Sequence, residues 1–337
     1  MYIGLTIILL FVLFLPFTVK FVEHNLEVFL LIMGIAAAIT GQKLTGDLFA
    51  QSLVDPINIT LAVLIAGLLF KWLQTPLEKA ILGASQAIPF RIFIALVVIV
   101  VGLISSVITA IIAAIVLVLI VSVLKLDRKS EIRLVILACF SIGMGAVLTP
   151  IGEPLSTITV SKLNADFFYL LKLLGSTVIP GVIGFGILAA FMVQPNQSKD
   201  TLSSSLETES YGEIIIRSIK IYAFVMGLTL LGAGFEPFIE KYLLDLNSYV
   251  LYWINMISAV LDNATLAAAE ISPQLDSTTI RAILLGLLIS GGMLIPGNIP
   301  NIIAAGKLNI TSKEWARFGL PIGLIVMGIY FVIILFL

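Results

Sequence analysis

The residues best suited to chemistry cluster at two breaks in apolar sequence. Pro150, Ile151, Gly152, Glu153 and Pro154 form one pentapeptide, and Pro296, Gly297, Asn298, Ile299 and Pro300 form the other. Two prolines four residues apart remove two backbone donors and clash with the preceding turn, so neither segment holds a regular helix. The ends of the half-helices then present free carbonyls, which suit a cation, and free amides, which suit an anion or a carboxylate. Two acids lie deep in the apolar segments, Glu153 in the first break and Asp262 in the sequence before the second. A charged carboxylate at membrane depth costs about 2.5 to 3.5 kcal/mol and by default marks an ion or proton pathway.

No lysine or arginine lies at matching depth in the sequence, so each carboxylate has to hold a proton or a cation. Thr149, Ser156 and Thr157 surround Glu153; Ser258, Asn263 and Thr265 surround Asp262; Asn298 and Asn301 belong to the second break. Oxygen-rich sets of this kind suit hard cations such as sodium or lithium. Each residue also has a structural alternative. Asp262 can cap a helix, Glu153 can be a protonated structural acid, and the hydroxyls and amides can satisfy freed backbone groups. Glu270 reads as a solvated end residue.

The elements that position these groups are membrane spans. Of 337 residues, 60% are hydrophobic and 12% charged, which gives room for roughly eight to eleven spans of about 20 residues. The single Cys139 excludes a disulfide framework, and the single His24 excludes a histidine metal cluster. No transition-metal site, enzyme nucleophile or cofactor is expected, and no basic patch suggests nucleic acid. The first apolar segment lacks a basic n-region and reads as a span rather than a removable signal.

Two segments do not fit single spans. The stretch 92–124 has no charge in 33 residues, and as one helix would be about 50 Å long against a hydrocarbon core of about 30 Å. Its centre holds Ser105 and Ser106, with Thr109 standing opposite Asp262 when Ser105 is aligned with Ser258. The stretch 247–271 carries Ser258, Asp262, Asn263 and Thr265 at its centre. Each predicts a helical hairpin with a polar tip. If both enter and leave on one side, 14 of the 19 lysines and arginines collect on one face and 5 on the other, a bias expected of a cytoplasmic side. Both termini then face outward.

The chain consequently divides into scaffold spans at 1–56 and a first unit at 57–193, with its hairpin at about 92–124 and its broken span at about 133–163. A polar linker at 194–213 leads to a second unit at 214–337, with its hairpin at about 247–271 and its broken span at about 279–306. The two units run in opposite orientations. The fold class expected is an all-α polytopic membrane protein with an inverted-topology repeat, two re-entrant helical hairpins and two broken transmembrane helices. Residues 74–89 and 236–245 read as interfacial amphipathic helices.

The tip around Asp262-Asn263 and the loop from Gly145 through Pro150, Gly152 and Glu153 to Thr157 resemble motifs of the ion transporter superfamily, nearest its NhaD-type sodium/proton antiporters and related cation transporters. The resemblance covers most of the chain from about residue 57. It implies an ion site at the Asp-Asn tip and the Pro-Ile-Gly-acid loop, and a homodimer. The first hairpin departs from the pattern, with Thr109 and Ala110 in place of an Asp-Asn pair, which favours a site with one carboxylate-centred ion. The superfamily also carries dicarboxylates and oxyanions, so fold leaves the substrate open. The function expected is a secondary active transporter of a prokaryotic plasma membrane, exchanging sodium or lithium for protons. The alternative is a sodium-coupled symporter of a small anion.

Overall fold

The computed structural model describes residues 1–195, 210–242, 246–261, 263–271 and 273–336. Among these, all regular structure is helical. In chain order the α-helices are α1 (Tyr2–Thr18), α2 (Lys20–His24), α3 (Leu26–Thr40), α4 (Gly46–Ala87), α5 (Phe90–Ile108), α6 (Ala110–Leu124), α7 (Arg128–Ala146) and α8 (Pro154–Lys162). They continue as α9 (Tyr169–Met192), α10 (Tyr211–Tyr242), α11 (Ser248–Ile254), α12 (Asn263–Glu270), α13 (Ser277–Gly291), α14 (Ile299–Leu308) and α15 (Ser312–Leu335). Short 3-10 turns occupy Asn255–Ala259 and Ile295–Gly297.

Among the described residues, four helices are long and apolar enough to cross a membrane: Phe90–Ile108, Tyr169–Met192, Tyr211–Phe238 and Ser312–Leu335. Many large apolar side chains point outward, among them Ile3, Phe21, Val107 and Phe191, a surface compatible with lipid. Both proline-rich pentapeptides interrupt their helices as expected. Pro154 starts α8 and Pro300 lies in the first turn of α14, positions where a missing N–H costs nothing. The 33-residue apolar stretch likewise divides, into α5 and α6 at Thr109.

Two expectations need correction. The stretch 74–89 is not a separate helix, because α4 runs unbroken over 42 residues to Ala87. A change to amphipathic composition does not end a helix by itself. The end comes at Ile88, whose extended backbone (φ −123°, ψ 142°) is what the following Pro89 imposes. Similarly α10 continues to Tyr242 with Pro237 inside it, and 243–245 lie outside the described residues. Most of the 194–213 linker also lies outside them.

Helix α10 packs between α3 and α4. Lys220 pairs with Glu27 at one end (2.7 Å) and Lys43 with Glu236 at the other (2.7 Å), so α3 and α10 run parallel. Between these pairs the backbones nearly touch, and a Cβ on Gly227 would lie 2.6 Å from the Leu31 nitrogen. Where lipid removes the hydrophobic drive between helices, such close backbone packing supplies much of the attraction. Helix α4 runs the other way along α10, with Leu53 accepting from the Tyr222 hydroxyl (2.7 Å) and Trp72 donating to the Tyr211 hydroxyl (3.4 Å).

A second group forms around α7. Its Ser141 hydroxyl donates to the Val98 carbonyl (2.9 Å), its Gly145 lies on Gly102, and Thr149 beyond its end reaches Ser106, so α5 and α7 run parallel. Helix α9 runs antiparallel to both: Phe185 stacks on Phe140, and the Met192 carbonyl accepts from Arg133 (3.1 Å). Asp127 caps α7 by accepting from the Ser130 amide (3.1 Å), and those Ser130 bonds hold its carboxyl below the ordinary range. This cap is present above the ordinary carboxylate pKa and is lost as pH falls through the lowered one.

The α3/α10 contact gives a paired expectation. Gly227→Ala pushes a methyl into the α3 backbone and should lower stability by about 1–3 kcal/mol. Gly184→Ala, where nothing lies within 4 Å, should leave stability unchanged or raise it by up to about 1 kcal/mol. Thermal unfolding of the detergent-solubilised variants checks both.

Candidate functional site

The first break runs from Val147 to Glu153, between the end of α7 and the start of α8. Opening a helix here frees carbonyls that need donors, and side chains supply them. Ser156 donates to Ala146 O (3.5 Å) and Thr157 to Pro150 O (2.6 Å). Thr149 donates to the Ser106 carbonyl, tying the break to the end of α5. Return contact comes from the Ala110 amide, which donates to Gly152 O (2.8 Å). A Cβ on Gly152 would overlap Ala146 O, so only glycine lets the loop fold back on its own helix end.

Between these contacts Thr109 has φ 76° and ψ 149°, an unusual conformation for a β-branched residue that costs on the order of 1–3 kcal/mol. Its neighbours hold it there. The Thr109 hydroxyl accepts from the Ile112 amide (3.4 Å), capping α6, while Ser105 donates to Gly102 O (2.6 Å) and Ile142 O (3.0 Å). Ser106 donates to Leu103 O (2.7 Å). Glu153 sits at the N-terminal cap of α8, only 5% exposed, and makes no cap bond with its side chain. The helix N-terminus favours negative charge at that position.

The second break spans Gly292 to Asn298. Here the fully buried Asn301 does most of the satisfying: its Nδ2 donates to Gly291 O (2.8 Å) and Leu294 O (2.9 Å). Trp315 of α15, also fully buried, donates to Gly292 O (3.1 Å). Pro296 and Gly297 lie in the 3-10 turn, where a Cβ on Gly297 would lie 2.6 Å from both Gly291 O and Ser258 O. Ser258 donates to Leu287 O (3.4 Å). The segment 247–259 thus docks on α13 as α5 docks on α7.

The two breaks communicate through α7. The Asn298 amide lies against Gly143, one turn before the first break begins. Asn298 Nδ2 and Asn263 Nδ2 are both buried and have no hydrogen-bond acceptor among the described residues. Thr149, Ser156, Thr157, Ser258 and Asn301 spend their donors on backbone carbonyls, the structural role open to them from the start. Each hydroxyl and the Asn301 Oδ1 keeps lone pairs for a cation. Asp262 lies outside the described residues, as does the side chain of Thr265.

One acid was misread from sequence. Glu270 is not a solvated end residue: it is 3% exposed, and its Oε2 accepts from Asn255 Nδ2 at 2.8 Å. Its place near the expected membrane surface suggested solvation, but the chain brings Asn255 and Glu270 together. A signal was present in the sequence, since Glu270 is embedded in an apolar run from Leu266 to Ile271. Trp315 was likewise missed, because only the packed structure shows which carbonyl it reaches.

The fold and site define a helical protein with several helices of membrane-crossing length and two interrupted helices that meet near their breaks. A model of the family described as protein of unknown function, DUF1646, matches residues 2–337, and the chain belongs to that family. No curated protein matches the chain.

Asn301→Ala removes the donor from two buried carbonyls and should destabilise the protein by about 1–3 kcal/mol for each group left unmet. Ser156→Ala gives up one long bond and should cost less. Unfolding midpoints of the two variants in the same detergent test that order.

Proposed function

We propose that this protein is an integral membrane secondary transporter that exchanges sodium or lithium for protons by alternating access. The observation that carries the reading is the pair of interrupted helices, each docked on a preceding apolar segment that is itself interrupted at a polar point. Interrupted helices in matching positions of two repeated units are the usual construction of a transporter's binding site. Glu153 gives this centre a buried carboxylate at a half-helix N-terminus, surrounded by Thr149, Ser156 and Thr157.

The helix directions support the two hairpins. If 92–124 crossed the bilayer once, α3 and α10 would run antiparallel; they run parallel. Helices α5 and α7 are parallel too, which requires α6 to return the chain to the starting end of α5. In the second unit Ser290 of α13 donates to Asn255 O (2.6 Å) and Gly286 lies on the Tyr252 carbonyl, again a parallel pairing. The ends also sort as the charge bias expects. Arg128 bonds the Leu308 and Asn309 carbonyls (3.0 and 2.8 Å) and Glu314, while Lys162 reaches Ile271 O (3.4 Å) at the opposite end. We accordingly read the inverted repeat with re-entrant hairpins, an inward face rich in Lys and Arg, termini outside, and a homodimer in a prokaryotic plasma membrane.

In this mechanism Asp262 and Glu153 alternate between proton and cation as the hairpins rock against α3, α4 and α10. A second reading, sodium-coupled symport of a dicarboxylate or oxyanion, is favoured by the two buried amides that have no acceptor among the described residues. Asn263 Nδ2 and Asn298 Nδ2 suit the oxygens of an anion; turned over, the same amides offer oxygens to a cation.

Proteoliposomes with a pH-sensitive dye inside decide between the readings. Adding sodium or lithium outside should move protons saturably, Asp262→Asn should abolish the signal, and Glu153→Gln should alter its pH dependence. Silence with sodium, lithium and potassium overturns antiport, and sodium uptake that requires an added dicarboxylate or oxyanion selects the symporter.

A further inference from the structure

We propose that Glu270 and Asn255 form an exchangeable proton site, separate from both breaks, that closes the two arms of the segment 247–271 on each other. Asn255 lies in the first arm, on the 3-10 turn, and Glu270 ends the second arm, α12. Both are more than nine-tenths buried. Asn255 Nδ2 donates to Glu270 Oε2 at 2.8 Å, which leaves two acceptor oxygens, Glu270 Oε1 and Asn255 Oδ1, with no donor among the described residues. Two buried acceptors bare of donors are costly, and both belong to one side-chain pair.

A single proton resolves both. Placed on Oε1 it turns the carboxylate into an acid whose O–H can donate to Oδ1, completing the two-bond ring that a carboxylic acid and a primary amide make edge to edge. Charge argues the same way. Glu270 is the last residue of α12, so a negative carboxylate would face the negative end of that helix.

Among the described residues, no charged group on the packed elements bonds the Glu270 carboxyl. On α8, Lys162 bonds the Ile271 carbonyl and Glu153 stands at the N-terminal end, away from Glu270; on α13, Asp276 caps the helix by accepting from the Thr279 amide, and the buried Arg281 Nε has no acceptor among the described residues. On α10, Lys220 pairs with Glu27, Glu236 with Lys43, Glu213 with Ser210, Tyr222 donates to Leu53 O, and Lys241 lies over the Tyr2 ring. In the first arm Tyr252 donates to Met327 O. Losing the proton leaves bare oxygens facing across the arms and loosens their closure. Its role as the proton-coupled latch of the second hairpin rests on the transporter reading; the site itself does not.

Infrared spectroscopy of the purified protein reads the site without any transport assay. At near-neutral pH the wild type should show a protonated-carboxyl stretch that is missing in Glu270→Gln and that disappears reversibly as pH is raised. Glu270→Gln can keep the amide pairing and should unfold at about the wild-type temperature. If that variant does not fold, Asn255→Ala keeps the carboxyl and should shift the band as its amide partner is lost. No difference between wild type and Glu270→Gln at any pH overturns the proposal by showing a carboxylate that never takes a proton. A band that persists at every pH overturns it as well, leaving a fixed structural acid. Loss of the band on adding sodium at constant pH supports exchange at this site, whatever the proteoliposomes report.

Discussion

Everything in this structure follows from the cost of interrupting a helix in apolar surroundings. An intact helix satisfies its own backbone; each break frees carbonyls and amides that need partners from outside the helix. The chain meets that demand with partners from other elements. The first break is served by its own Ser156 and Thr157, and Thr149 and the Ala110 amide tie it to the junction of α5 and α6. The second break takes its donors from Asn301 and Trp315. Interruption therefore dictates docking, and docking fixes the segments that precede each break.

The segments that precede the two breaks are held by different chemistry. At the first junction the backbone turns at Thr109 in a strained conformation held by its neighbours, with no acid at the tip. In the segment before the second break, the buried Asn255 and Glu270 bond each other. Glu153 sits at the N-terminal end of α8 and Glu270 at the C-terminal end of α12, so the two helix dipoles act on the two carboxyls with opposite sign.

Around this centre α3, α4 and α10 form a second body whose contacts have another character. It is held by close backbone approach at Gly227 and by ion pairs near its two ends. Exposed pairs of this kind contribute little energy each. They do fix direction, and the parallel run of α3 and α10 constrains how many times the intervening chain crosses.

The sequence by itself marked the two breaks, because two prolines four residues apart with a glycine between them cannot be held in one regular helix, whereas single prolines such as Pro180, Pro237 and Pro321 sit inside unbroken ones. It also determined the apolar class of the chain, which is a property of composition. The end of α4 at Ile88 was legible from Pro89. Only the tertiary structure decided which groups meet across long separations: Asn301 as the donor to two freed carbonyls, Trp315 as the donor to a third, and Glu270 as a buried acid rather than a surface one. Those assignments depend on which helix lies against which, and no local pattern encodes that, since an asparagine, a tryptophan or a glutamate carries the same side chain wherever the fold places it.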